Sequence, residues 1–541
     1  MSGQISNNRF FTKNQKLFLF FCFVFALCIK SALLYYFALL DGDKGLQGIA
    51  ALNLAHGHGY TIPEFNIATG QMVNVPLIEW PPLYSVLLIP FLWLTSFDLS
   101  ASCYLLDITG ALTFLIFLLL ILRKLRFPIV MQALLLIYKG CELNATVIIS
   151  FPTDTWATAS WLAAFYFLIC LTEDPNRRNW ILFTIANAIP FFFRYMYLLI
   201  AFVLPLCLLW KEYRTGSLPI KKILLSMGCT LVLAGALLVY NSSTAKSAVF
   251  ILPSENGFYP ENLKAMAPVF WASFINTEFY TMQLSLRTGF SYQQVLQIFR
   301  WTGIPVLFYL VINYFRKYFI FPVMRTAFDK FCFYAGAISI CTTLLIVLFS
   351  VIHNAYSPFN KNSYWTYIME ERYFSVAIIV VFIICCYWLF VKRDSLILLR
   401  SVLRVAFFCL FFIEVIHALY TIHKKSQLPP EHYSSYIYSD AKRKLLLDSL
   451  FHREKAKGND IVLLSDQYGY IMHAVINNIK ASRQMDILKK DTLRFSRRTL
   501  LVVAIPADRS SYYDQWLQKH DIRLTNKIDD YSIYQKYYRP E

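Results

Sequence analysis

Residues 17–40 read LFLFFCFVFALCIKSALLYYFALL, an apolar run broken by one charge, Lys30. It exceeds the ~20 residues that a helix needs to cross hydrocarbon. It follows Arg9, Lys13 and Lys16, which places the N-terminus on the cytoplasmic side. The run is longer than a signal-peptide core and lacks a small-residue cleavage site, so it reads as an uncleaved first helix. A polar stretch then begins abruptly, Asp41-Gly-Asp43-Lys44-Gly-Leu-Gln-Gly-Ile-Ala-Ala51-Leu-Asn-Leu-Ala-His56-Gly-His58-Gly-Tyr60.

Similar apolar runs recur as far as residue 420. The chain of 541 residues is 57% hydrophobic and only 16% charged, where a soluble domain carries about 25% charged residues. Basic clusters at Arg123-Lys124-Leu125-Arg126, Arg177-Arg178, Lys211 to Lys222, Arg316 to Lys330 and Lys392 to Arg404 each fit a cytoplasmic loop if two crossings separate successive clusters. Span length then predicts about eleven transmembrane helices, near 17–39, 105–122, 128–149, 155–172, 180–193, 196–210, 223–241, 299–315, 331–351, 374–391 and 401–420. Residues 83–97 are left as a helix at the outer interface. An odd number of crossings puts the first loop, 41–104, and everything after 420 outside. The expected organisation is a transmembrane domain, 1–420, followed by a small soluble α/β domain, 421–541.

The net charge of +18 is explained by the loop lysines and arginines, and nucleic acid is not an expected partner. All twelve cysteines lie in or beside apolar segments, with neither a disulfide framework nor zinc spacing. In the tail, Ile461 to Ser465, Leu500 to Ile505 and Tyr531 to Tyr537 read as strands. Tyr468 to Ile479 and Tyr512 to Lys519 read as helices, an alternation that favours a βαβ unit. The tail has no Gly-rich phosphate loop.

Several polar residues sit where chemistry would need them. Asp41 and Asp43 follow the end of a membrane helix, where partial desolvation raises a carboxylate's basicity; a solvated loop acid is the plain alternative. Asp154 opens another expected span at the same outer face, where capping after Pro152 would also account for it. Arg194 lies between two short apolar runs, suited either to holding a phosphate or to snorkelling toward headgroups. Arg372, just before another span, offers a second guanidinium at that face or an interfacial anchor. Lys30, deep in the first span, calls for a carboxylate partner inside the bundle. His56 and His58, with no third ligand, make a weak metal case and suit loop packing or substrate contact.

Three features together resemble the GT-C superfamily, in the branch of protein O-mannosyltransferases and lipid A aminoarabinose transferases. They are Asp43 upstream of Ala51-Leu-Asn-Leu-Ala-His-Gly-His-Gly-Tyr60, the following Pro81-Pro-Leu-Tyr84, and Thr153-Asp-Thr155 opening a span. The resemblance implies a membrane glycosyltransferase, hexosyl- or mannosyltransferase-like, that moves sugar from a polyprenyl-phosphate donor to a hydroxyl on a glycan, lipid or protein. It implies Asp43 as the acceptor-activating base, with Asp41 as the alternative, and Asp154 as the second acid of the site. Arg194, Glu79, His58, Tyr84 and Arg372 become candidate substrate-binding residues. Trp80 stands where the aminoarabinose branch usually has lysine, which argues against an aminoarabinose donor. A divalent metal is optional on this reading, and no dedicated ligand set is evident. The implied setting is a bacterial plasma (inner) membrane, with the tail periplasmic or extracellular. The competing class is a polytopic transporter or lipid-linked-sugar flippase, which would be expected to show internal repeats with interrupted helices.

Overall fold

The computed structural model describes residues 12–37, 42–66, 71–142, 152–215, 219–245, 254–320, 324–357, 360–364, 371–392 and 397–428, and most of 441–539. The chain begins with α1 (Lys13–Phe37) and α2 (Gly42–Ala55), then the antiparallel hairpin β1 (Thr61–Asn66) and β2 (Gln71–Pro76). Next come α3 (Leu83–Leu94), α4 (Leu99–Lys124), α5 (Ile129–Cys141), α6 (Pro152–Glu173), α7 (Arg177–Phe193), α8 (Tyr197–Ile200), α9 (Val203–Thr215) and α10 (Ile220–Ala245). A short β3 (Ser254–Asn256) leads to α11 (Val269–Ala272), α12 (Thr277–Thr288), α13 (Tyr292–Phe315) and α14 (Ala327–Ile352). The strands β4 (His353–Ser357) and β5 (Asn360–Tyr364) precede α15 (Ser375–Phe390) and α16 (Ile397–Ser426).

Among the described residues, eight helices are long and apolar enough to span a membrane: α1, α4, α6, α10, α13, α14, α15 and α16. The other three expected crossings differ in length. α5 has 13 residues and α7 has 17, while the third is divided into α8, with 4, and α9, with 13. Local chemistry explains the division. Pro190 lies in the last turn of α7, and Arg194 follows in extended backbone, φ −148° and ψ 118°, so the helix hydrogen bonds stop where the guanidinium turns inward.

Polarity is inverted relative to a soluble protein. Phe20, Phe21, Leu225, Val232, Phe308 and Val405 are exposed, whereas Lys30, Lys44, Asp107, Lys139, Asp154 and Arg194 are buried. An apolar exterior around paired charges suits a lipid surrounding. Small residues bring the helices together, as in membrane bundles. A Cβ on Gly140 of α5 would stand 2.6 Å from the Ala26 carbonyl oxygen of α1, and one on Gly110 of α4 would stand 2.8 Å from the Trp156 ring nitrogen of α6. α4 runs from an Asp98 cap, whose carboxylate accepts from Ala101 N at 3.0 Å, to Arg123 and Lys124 in its last turn, both favourable to the helix dipole.

The tail comprises α17 (Ala441–Ala456), β6 (Asp460–Ser465), β7 (Lys480–Ser482), β8 (Thr499–Pro506), α18 (Ser510–Lys519), β9 (Arg523–Ile528) and β10 (Tyr531–Tyr538). Its strands form one sheet in the order β7-β6-β8-β10-β9; β6 is parallel to both its neighbours, and β10 is antiparallel to β8 and β9. The parallel β6–β8 pair is the expected βαβ core, whereas β7 and β9 are additional edges. All eight residues of β8 are buried, as expected of a strand covered on both faces. The helix expected over Tyr468 to Ile479 falls partly outside the described residues. Phe65 of β1 is buried in the apolar core of this sheet, its ring 6.5 Å from that of Phe495. The first loop and the tail therefore lie on one side of the bundle.

Candidate functional site

Asp154 and Arg194 form the centre of the candidate site. Arg194 donates from Nε to Asp154 Oδ1 at 2.8 Å and from Nη2 to Oδ2 at 2.5 Å, a two-pronged fork in which the carboxylate is fully buried and the guanidinium nearly so. Asp154 sits inside the first turn of α6 rather than at its N-cap, and its oxygens go to a residue 40 positions later. Snorkelling does not describe Arg194 either, since the side chain is drawn inward by this carboxylate. Its guanidinium carbon lies 5.7 Å from the centre of the Tyr373 ring, and the buried Arg372 packs on the same ring at 4.9 Å. Two guanidinium groups are thus gathered around one aromatic ring. Beside them, Thr277 donates to Glu371, and Thr158 donates to Ser375 Oγ at 2.9 Å.

The first loop reaches this region at Trp80. Tyr195, the residue after Arg194, has its hydroxyl 3.5 Å from the Trp80 carbonyl and accepts from Asn241 at 2.8 Å. Tyr60 donates to the same Trp80 carbonyl at 3.1 Å. Burial pushes the Tyr60 phenol well above the ordinary tyrosine value, so it remains a donor. Glu79 is half-buried and accepts from the Ile78 amide at 3.2 Å. His56 and His58 are exposed, and His56 stacks on Phe97 with ring centres 4.9 Å apart. Among the described residues no cluster of three or more His, Cys, Asp or Glu could hold a metal ion.

Asp43 belongs to the first turn of α2, but its side chain, like the whole of Asp41, lies outside the described residues. The anchor of α2 is the neighbouring residue. Lys44 is fully buried and donates to Asp107 Oδ2 of α4 at 2.7 Å, while Tyr84 of α3 donates to Asp107 Oδ1 at 3.0 Å. Ser85 adds a bond to the Gln47 carbonyl at 2.7 Å. Tyr84, a candidate substrate contact from sequence, is here a buried member of this clamp. Lys44→Met would strand the Asp107 carboxylate, and removing one partner of a buried pair costs about 3–5 kcal/mol. Thermal unfolding in detergent should show that loss, with most of it recovered in the Lys44→Met/Asp107→Leu double variant. A single variant as stable as wild type would deny the clamp its role.

Lys44 and Asp107 were both missed from sequence. Lys44 looks like a solvated loop lysine, but Asp107, a carboxylate inside an expected span, carried a readable anomaly. Lys30 has a different partner from the expected carboxylate: its Nζ donates to the Glu142 backbone carbonyl at 2.8 Å. Lys139 takes the Glu142 carboxylate at 2.7 Å.

The fold and these side chains define a multi-pass helical membrane protein, with buried acid–base pairs among its helices and a small C-terminal sheet domain. No family model matches the chain, and no curated protein does. Among solved structures the chain is similar to ArnT from Cupriavidus metallidurans in the apo state, at 11% identity and TM-score 0.44, over 97% of this chain and 98% of that one. It is similar also to the same protein bound to undecaprenyl phosphate, at 10% identity and TM-score 0.37, over 96% and 97% of the two chains. A third similar structure is arabinosyltransferase EmbB from Mycobacterium smegmatis, at 13% identity and TM-score 0.36, over 82% of this chain and 44% of that one. At TM-scores below 0.5, any functional conclusion must come from this chain's own residues.

Proposed function

We propose that the chain is a GT-C-type glycosyltransferase that moves a sugar from a polyprenyl-phosphate carrier to an acceptor hydroxyl on the outer face of the membrane. The observation that carries the reading is the buried Asp154–Arg194 fork, with Arg372 across the shared Tyr373 ring, beside Trp80 of the loop that carries Asp43. A transferase of this kind needs a base for the acceptor and fixed cations for a departing phosphate, and needs no nucleotide fold. Asp43 takes the acceptor's proton as its oxygen attacks the anomeric carbon. The bond from that carbon to the phosphate oxygen breaks, and the phosphate leaves on its lipid. Arg372 and Arg194 stabilise the charge that develops there. Asp154 holds Arg194 in place, since a guanidinium locked in a two-pronged fork does not reorganise as the reaction proceeds.

The orientation is part of the proposal. With α5, α7 and the α8–α9 pair counted as crossings, the N-terminus is cytoplasmic and the tail lies outside. Protease added to intact spheroplasts should remove the tail, and complete protection would reverse the face on which the reaction is placed. The function itself is tested by expressing wild type and Asp43→Asn and comparing the lipid-linked sugars extracted from the two membranes. A lipid-linked sugar consumed only in the wild type is the expected result. Identical profiles from cells with equal amounts of folded protein would contradict the proposal.

A further inference from the structure

The first-loop hairpin stands between two apolar cores. Successive side chains of a strand point to opposite faces, so Ile62 and Phe65 of β1, three positions apart, leave it on opposite sides. Ile62, with Tyr60 just before the strand, belongs to the core of the bundle, whereas Phe65 belongs to the core of the tail. Ile62 is 3% exposed and Phe65 2%. In the tail, the Phe65 ring lies nearly parallel to that of Phe495, with 5° between their planes. The Lys480 ammonium of β7 sits 5.6 Å from the centre of the Phe65 ring and bonds Asp460 Oδ2 of β6 at 2.7 Å. A two-stranded hairpin by itself is only marginally stable in water, and the first four residues of β2 are exposed. The order of this hairpin therefore comes from the two anchors of β1.

The hairpin is tied in turn to both halves of the candidate site. Asn53, in the last turn of α2, donates from Nδ2 to the Thr61 carbonyl at 3.1 Å and to Asn74 Oδ1 at 3.3 Å, which joins the helix to both strands. The Leu77 amide, just past β2, donates to the Tyr60 carbonyl at 3.1 Å. The Tyr60 hydroxyl holds the Trp80 carbonyl, which Tyr195 meets beside Arg194. The Lys44 clamp pins the first turn of α2 to α4, but a helix pinned at one end can pivot about it. The hairpin supplies the second point, and Phe65 connects that point to the tail.

We propose that Phe65 is a positioning residue for sugar transfer. Seated in the tail core, it fixes β1, and through β1 it fixes α2 with Asp43 and the segment at Trp80, so that the tail serves as the scaffold of the first loop. The link to transfer rests on the glycosyltransferase reading; the mechanical coupling of tail to α2 does not.

The test is hydrogen exchange of the full chain in nanodiscs, read alongside the transfer rate. Phe65→Ala should speed exchange of the α2 and β1 amides by at least about tenfold, with α4 and α6 unchanged. It should also lower kcat by about ten- to a hundredfold, as expected of a base displaced by about 1 Å, with little change in KM for the lipid donor. Phe65→Leu, which refills most of the space, should fall between wild type and Phe65→Ala in both readouts, and it carries the test if Phe65→Ala does not fold. Faster exchange confined to the tail strands, with α2 as in wild type, would make Phe65 a core residue of the tail alone and overturn the proposal. Loosened α2 with a wild-type kcat would overturn it also. Loosened α2 in a chain whose wild type transfers no sugar would uphold the coupling while removing the transferase reading.

Discussion

Asp43→Asn should lower sugar transfer by about a hundred- to ten-thousandfold, the usual cost of a missing general base, with expression and membrane insertion preserved. Asparagine keeps the shape of the side chain and removes only its basicity. Asp41→Asn changes the charge of the same loop equally and serves as the control; it should retain most of the wild-type rate. The geometry makes the two separable. Asp43 belongs to the first turn of α2, and the next residue, Lys44, is held by Asp107 and Tyr84 in a fully buried clamp. The backbone at Asp43 is thus fixed relative to α3 and α4, as a base needs, whereas Asp41 precedes the helix. Loss of transfer in Asp41→Asn with a normal rate in Asp43→Asn would move the base by two residues. Normal rates in both would remove the first loop from the chemistry.

The second large effect concerns the Asp154–Arg194 fork. Asp154→Asn leaves the buried guanidinium without its countercharge and should destabilise the protein by about 3–5 kcal/mol, visible as a lowered unfolding temperature. Arg194→Gln should do the same by stranding the carboxylate. The informative variant is the double one, Asp154→Asn/Arg194→Gln, in which a neutral amide pair replaces the ions. Stability should largely return, because both charges leave together, but transfer should not, because Arg372 is then left as the one cation of the pair beside Tyr373. A double variant that regains both stability and transfer would reduce the pair to a structural contact.

How much of this was legible in the sequence depends on the kind of interaction involved. The long spans are written in composition, so α1, α4, α6, α10, α13, α14, α15 and α16 match expected runs. The break at Arg194 was visible as two short apolar runs, because proline near a helix end and a charged residue after it leave a local mark. Its partner was not visible, since nothing in a helical period tells which of several bundle acids a guanidinium will meet. Lys44 illustrates the same limit: one residue past Asp43 it looks solvated, and only the packing of α2 against α4 buries it. In the tail, β6 and β8 were readable because apolar runs fill both faces of a covered strand, and β10 through its tyrosines and Ile533. The edges were not, since β9, Arg-Leu-Thr-Asn-Lys-Ile, is polar and β7 has only 3 residues. Contact between Phe65 and Phe495 joins two segments more than four hundred positions apart, and it gives the shared side of loop and tail without any count of crossings.

The central claim is tested most directly with the purified chain in nanodiscs, supplied with a panel of polyprenyl-phosphate-linked sugars and a membrane extract as the source of acceptor. The quantity to measure is polyprenyl phosphate released per folded protein. Wild type should release the carrier from at least one donor and label an acceptor in equal amount, with Asp43→Asn reduced at least about a hundredfold. Release at the same rate by wild type and Asp43→Asn, or none from any donor by a wild-type chain that unfolds cooperatively and binds the carrier, would contradict the account.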